Sequence, residues 1–325
     1  MSQLDTPSRA LGSTWARAKG AVMKRSHSRV SRLEPWIALA LCAAVAVAGV
    51  VQQLVHDRPD YAEKFGPSWL PLAAAGFAAA GIVMLLTDRQ QLRLQSALIW
   101  SGLLLMLWAA GGLMLDLLRV VSLVIPGLMP AGVDWLGLAT RAFACAVAVV
   151  LAHLALSRSS APSTTRVATW YGYAALAFAL PYPVLKTWWA LGGDFGLRWP
   201  GADGLAGSFA LWLPAVPWLL AATLSLLLVV TPRWLPRRPL LATGWFASVV
   251  VATLGLSACS AFVTGLLRGD VDSGGMATWV FGLVYGSWFL WAIAAGAATR
   301  SYQLRSAAPS VAPATVGRRD DHVAA

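Results

Sequence analysis

The residues able to do chemistry are few, and the densest group is the stretch Pro181, Tyr182, Pro183, Lys186, Trp188 and Trp189. Lys186 is a cation inside an apolar run, where insertion of such a charge costs about 2.5–3.5 kcal/mol at mid-membrane. Pro181 and Pro183 remove two backbone donors just ahead of it, so the interrupted helix leaves carbonyls free. With Tyr182, Trp188 and Trp189 as aromatic faces, the stretch could form a wall that binds an anionic ligand. The competing reading is a lysine whose long stem carries its charge out to the lipid headgroups.

A second group is Asp116, Arg119 and Arg141. Asp116 and Arg119 share one helical face, and Arg141 falls at a similar depth in the next apolar run. The expected arrangement is a structural ion pair in which Asp116 neutralises both cations. Beyond these groups the chain carries no phosphate-binding glycine loop, no HExxH, no GxSxG and no paired histidines for haem. Cys42, Cys145 and Cys259 stand singly in three different runs and read as packing residues, as does the lone His153. No metal site and no cofactor are expected. An enzyme would have to work with those charges and the loop acids Asp134, Asp194 and Asp203.

The elements that hold these residues follow from composition. Of 325 residues, 58% are hydrophobic and 12% charged, about half the charge of a soluble domain. Mean hydropathy is +0.64. Eight apolar runs fall at about 36–55, 68–87, 96–118, 137–156, 168–190, 208–230, 240–266 and 277–299. Backbone in hydrocarbon must satisfy its own hydrogen bonds, and these runs lack the alternation of barrel strands. The expected fold is all-α, a polytopic transmembrane bundle of eight spans. The sequence divides into a basic tail (1–35), a first four-helix half (36–156), a linker (157–167), a second half (168–299) and a disordered tail (300–325).

Charge sets the orientation. With the N-terminus in the cytoplasm, only Arg58, Lys64, Arg119, Arg141, Lys186, Arg198 and Arg268 of the 25 lysines and arginines fall at the outer side. That bias places both termini inside a plasma membrane. The net charge of +11 is therefore a topology signal, and nucleic acid is excluded as a partner. Abundant arginine and alanine fit a GC-rich bacterial source.

Three local patterns add detail. Trp69-Leu70-Pro71 recurs as Trp212-Leu213-Pro214, Arg89 and Arg93 as Arg233 and Arg237, and Trp135 as Trp279. Two parallel four-helix repeats would give such offsets. Gly282 and Gly286, and Gly76 with Ala80, are small-residue pairs expected to pack within the chain. Finally, Trp189-Ala190-Leu191-Gly192-Gly193, followed by Asp194-Phe195-Gly196-Leu197, resembles the WALGG signature of small four-helix bacterial membrane proteins of unknown function. The resemblance covers about residues 175–300 and implies four-helix architecture without an activity. Trp108-Ala109-Ala110-Gly111-Gly112 echoes it inside the third run.

Three kinds of function remain open at this point. The first is non-enzymatic binding or transport of a small molecule or lipid at the outer side, with Lys186, Tyr182, Trp188 and Trp189 as its residues. The second is a structural or regulatory partner of another membrane protein, and the third an unrecognised membrane enzyme. The partners expected are the lipid bilayer, then an anionic lipid or small molecule, or another membrane protein.

Overall fold

The computed structural model describes residues 33–55, 66–87, 92–124, 132–158, 169–198, 215–230, 235–271 and 275–307. Residues 1–32 and 308–325 of the two tails, most of the 157–167 linker, Trp212-Leu213-Pro214, Asp203, Arg89 and Arg233 lie outside the described residues. Residues 300–307, read above as the start of a disordered tail, are instead helical and continue the last apolar run.

Ten α-helices make up the described chain: α1 (Glu34–Leu54), α2 (Leu70–Leu86), α3 (Leu92–Ala109), α4 (Leu113–Ser122), α5 (Trp135–Arg158), α6 (Trp170–Ala179), α7 (Pro181–Ala190), α8 (Val216–Val230), α9 (Arg237–Arg268) and α10 (Thr278–Ala307). Prolines stand in the first turn of five of them, Pro217 in α8 and Pro239 in α9 among them. Pro35, Pro71 and Pro181 occupy the first turns of α1, α2 and α7, where a missing N–H has no intrahelical partner to lose. One isolated antiparallel bridge, Leu197 to Met276, is the only sheet pairing among the described residues. The fold is an all-α bundle.

Five stretches are long and apolar enough to cross a membrane: Glu34–Leu54, Leu92–Ser122, Trp135–Ser157, Arg237–Arg268 and Thr278–Ser306. Leu70–Leu86 and Val216–Val230 are shorter apolar helices. The outside of the bundle is apolar as well, with Trp36, Phe77, Trp100, Phe246 and Ile293 all exposed. Hydrocarbon is the solvent such a surface suits, because every backbone polar group within a helix is already bonded.

Neighbouring helices alternate in direction. Gly81 on α2 lies against Ile99 on α3, Glu34 approaches His153 at 3.8 Å, and Gly255 on α9 abuts Phe289 on α10. The start of α1 and the finish of α10 therefore lie at one end of the bundle, called here the terminal end. His153 is exposed rather than packed inside.

Two separate hydrophobic cores form. One holds Val45, Ile82, Met106, Val147 and Leu151, from α1, α2, α3 and α5. The other holds Trp189, Leu228, Val280, Val284 and Trp291, from α7, α8 and α10. The order of packing recurs between them: α1 lies against α5 and α2 as α6 lies against α10 and α8, and α3 meets α5 as α9 meets α10. The recurrence stops at one pair, since α2 packs along α3 whereas α8 barely meets α9. The halves join mainly where α9 touches α3, α4 and α5.

The third apolar run departs from the sequence reading. Read as one helix over 96–118, it is broken after Ala109. Gly112 has φ +84°, a conformation that costs any residue with a Cβ about 1–2 kcal/mol. Gly111 N–H bonds the Trp108 carbonyl at 2.9 Å and Leu113 N–H bonds that of Ala110 at 3.2 Å. The turn re-aims the chain, so that α4 presents Asp116 and Arg119 inward. The small-residue pairs also divide. Gly282 faces the Phe262 ring on α9, but nothing within 4 Å faces Gly286 or Gly76, and Ala80 is exposed with Gly76.

Candidate functional site

The far end of the bundle, opposite the termini, carries the buried charges. Asp134 caps α5: its carboxylate accepts the Gly137 N–H at 2.8 Å and its carbonyl accepts that of Leu138 at 2.7 Å. That is how an N-cap satisfies donors left open at a helix start. Two turns along α5, Arg141 reaches back to bond Asp116, and its Nη2 lies 3.6 Å from Asp134. Asp116 is 0% exposed, Arg141 5%, Asp134 7% and Arg119 8%. Two acids and two bases thus lie buried together, and their charges balance. Such a group holds only while each charge keeps its partners, because desolvation is otherwise prohibitive.

Asp134, a loop acid by its place in the sequence, is in the structure the N-cap of α5. An aspartate placed directly before an apolar run was the available signal, since that is where an N-cap belongs. Beside the group is a cavity of about 40 Å³ lined by Arg141, Thr140, Trp108 and Gln52. It is of a size for ordered water.

Lys186 belongs to the second half. Pro181 ends the α6 ladder, and α7 starts afresh from Leu180 with helical dihedrals. Lys186 is 9% exposed, with its Nζ 5.6 Å from the Tyr182 ring centroid and 5.3 Å from that of Trp189. Cation–π attraction of this kind is worth roughly 2 kcal/mol when desolvated. Tyr182 in turn meets Trp288 edge-on at 5.3 Å, and Trp288 stacks on Trp218 at 4.6 Å. Of the four proposed wall residues, Lys186, Tyr182 and Trp189 come together. Trp188 faces the other way and is exposed.

The residues of the WALGG stretch have local structural work. Trp189 is buried and its indole N–H bonds the Phe195 carbonyl at 2.9 Å. Gly192, at φ +90°, stops α7, and Gly193 N–H returns to the Trp188 carbonyl at 3.0 Å. This is a Schellman-type stop, in which a left-handed glycine lets the last carbonyls find donors. Gly193 leaves room for the Trp188 ring, on which a Cβ there would fall. The echo at Trp108 to Gly112 uses its second glycine for the positive φ, the WALGG stretch its first.

A cleft of about 700 Å³ opens at the far end between the halves. Its aromatic walls are Trp69 and Trp108 from the first half and Phe262 and Phe281 from the second. Trp69 and Trp108 meet edge-to-face at 6.2 Å. Ser260, Thr264, Arg268 and Asp270 add hydroxyls and both signs of charge. The buried Trp108 Nε1 has no hydrogen-bond partner among the described residues. Trp108 also lines the small cavity at Arg141, so the cleft floor adjoins the buried charges. Lys186 lines neither hollow. Among the described residues no three His, Cys, Asp or Glu side chains converge as a metal would require.

Comparison with protein-family models, curated proteins and solved structures finds no match for the chain.

Proposed function

We propose that the chain is an eight-span protein of the plasma membrane, with both termini cytoplasmic, that binds a small molecule from the outer side. The observation that carries this reading is the cleft between the halves. Its volume of about 700 Å³ lies in the range typical of ligand sites, which are mostly apolar with a few placed polar groups. Four aromatic side chains, two hydroxyls, Arg268 and Asp270 suit an amphipathic ligand with polar groups along one edge. The Trp108 indole N–H is a donor in want of an acceptor, and buried donors are seldom left so. The cation distribution turns this end outward.

Binding or transport fits better than catalysis. Asp116 and Asp134 are engaged by Arg141, which leaves them poor candidates for proton transfer. Lys186 supports a second reading, because a buried cation resting on two rings would gain from an anionic group.

Native mass spectrometry of the protein purified from its own membrane separates these. Wild type should carry a non-protein mass that Thr264→Trp, which fills the cleft, loses and Lys186→Met keeps. The reverse pattern would move the site to Lys186. A bound polypeptide instead would favour the partner-subunit reading, and no bound species in any of the three would contradict binding.

A further inference from the structure

A different hollow lies between the halves at the terminal end. It measures about 540 Å³ and is walled by α3 and α5 on one side and α9 and α10 on the other, with Tyr171 from α6. Leu103, Leu107, Ala148, Ala252 and Ala292 are representative of its lining. Ser248 is turned away from it in chemical terms, since its hydroxyl is spent on the Gly244 carbonyl at 2.7 Å. Arg300 is the single charged residue of the lining.

Physics says that this space does not stay empty. Packed interiors leave few voids larger than a water molecule, because each unfilled surface forfeits dispersion contacts. Water is a poor filler for walls of this kind. The rim residues Trp100, Leu104, Ile293 and Leu304 are exposed, so the groove is open sideways, toward the medium that surrounds the helices. In a bilayer that medium is acyl chain. The lining runs along α10 from Phe289 to Leu304, about 22 Å at the helical rise, against about 15 Å for half of the hydrocarbon core.

The charge stands at the headgroup end of that path. Arg300 is half-buried, with Nη1 3.4 Å from Gln303 Oε1 and Nη2 3.5 Å from the Leu156 carbonyl. Arg237 approaches the same turn, donating to the Gln303 carbonyl at 3.2 Å. Two guanidinium groups around one turn of α10 favour a phosphate, which they can bind in bidentate fashion. We propose that this groove is a resident site for an anionic phospholipid of the leaflet next to the termini. One acyl chain fills the seam between the halves, and the phosphate rests on Arg300.

The test uses full-length protein, stripped of lipid in detergent and then offered dioleoyl phosphatidylglycerol or dioleoyl phosphatidylcholine. Retained lipid is read by native mass spectrometry at matched concentrations. Wild type should retain one phosphatidylglycerol in preference to phosphatidylcholine. Arg300→Gln should weaken that retention about fivefold, the effect of one cation near a lipid phosphate, and Arg300→Lys should keep part of it. Gly296→Leu should lose both lipids. A Cβ at Gly296 would find only ordinary contact, 3.8 Å from Ser248, so a longer side chain there enters the groove without forcing the helices apart. Equal retention in wild type, Arg300→Gln and Gly296→Leu would mean lipid held around the bundle at large, and would overturn the site. Should Gly296→Leu fail to fold, loss of the phosphatidylglycerol preference in Arg300→Gln still supports the proposal, and its persistence still overturns it.

Discussion

Asp116→Asn should lower stability by about 3–5 kcal/mol, the cost of breaking a buried ion pair. Position along the span would suggest less, because a charge near a helix end can be rescued by solvent. Burial decides otherwise: Asp116 is 0% and Arg141 5% exposed. Removing the acid takes away the carboxylate bonded to Arg141 and leaves Asp134 at 3.6 Å as the acid beside it, with Arg119 in the same enclosure. Arg141→Gln should cost a similar amount, for it takes from Asp116 the guanidinium bonded to it and from Asp134 the cation beside it. The double variant should lose clearly less than the sum, by 1 kcal/mol or more, since removing both charges restores the balance that either change destroys. Thermal unfolding in detergent of the two single variants and the double gives the cycle. Strictly additive losses would contradict the pairing.

Gly255→Leu should be comparably severe, at about 3 kcal/mol, for a steric reason. A Cβ at that position would lie 2.8 Å from the Phe289 nitrogen and 2.9 Å from its Cα. The obstacle is the backbone of α10, so α9 and α10 would have to separate along the joint that anchors the second core. Overpacking of this kind commonly costs 1–3 kcal/mol and more where nothing can yield. Gly111 supplies the internal comparison. A Cβ there would collide first with the Ser257 side chain, a removable obstacle, and would also lie 2.9 Å from the Trp108 carbonyl oxygen, which no side-chain change removes. Gly111→Ala should therefore be partly rescued by Ser257→Gly, whereas no side-chain change on α10 should rescue Gly255→Leu. Rescue of Gly255→Leu by Phe289→Ala would show that ring rather than backbone contact governs the approach.

How much of this could be read from the chain differs by element. The long apolar runs were legible because hydrocarbon tolerates nothing else: 36–55 became Glu34–Leu54 and 240–266 became Arg237–Arg268. The break at Gly111 and Gly112 was not legible, since paired glycines in an apolar helix serve close packing as readily as a turn. Facing was equally obscure. A helix apolar all round gives no stripe to orient it, so spacing could pair Gly76 with Ala80 but not say that both point outward. Asp116 and Arg141 were visible as charges in costly places. Their third partner, Asp134, lay hidden behind its position at the edge of a loop. The cleft was beyond reach of any local pattern, because Trp69, Trp108, Phe262 and Phe281 come from four helices that only tertiary packing brings together. Lys186 was conspicuous, yet conspicuousness marked a cation nested on rings rather than one lining the large hollow.

The most direct measurement concerns an outward-open cleft, and it needs two cysteines placed at opposite ends. In a chain with Cys42, Cys145 and Cys259 replaced by alanine, Thr264→Cys puts a thiol on the exposed cleft wall. Ser157→Cys puts one on an exposed site at the terminal end of α5. Intact cells are treated with a membrane-impermeant maleimide, and labelling is compared before and after permeabilisation. The proposed arrangement predicts that Thr264→Cys labels fully in intact cells, whereas Ser157→Cys labels only once the membrane is opened. Labelling of Ser157→Cys in intact cells, with Thr264→Cys protected until permeabilisation, would contradict it.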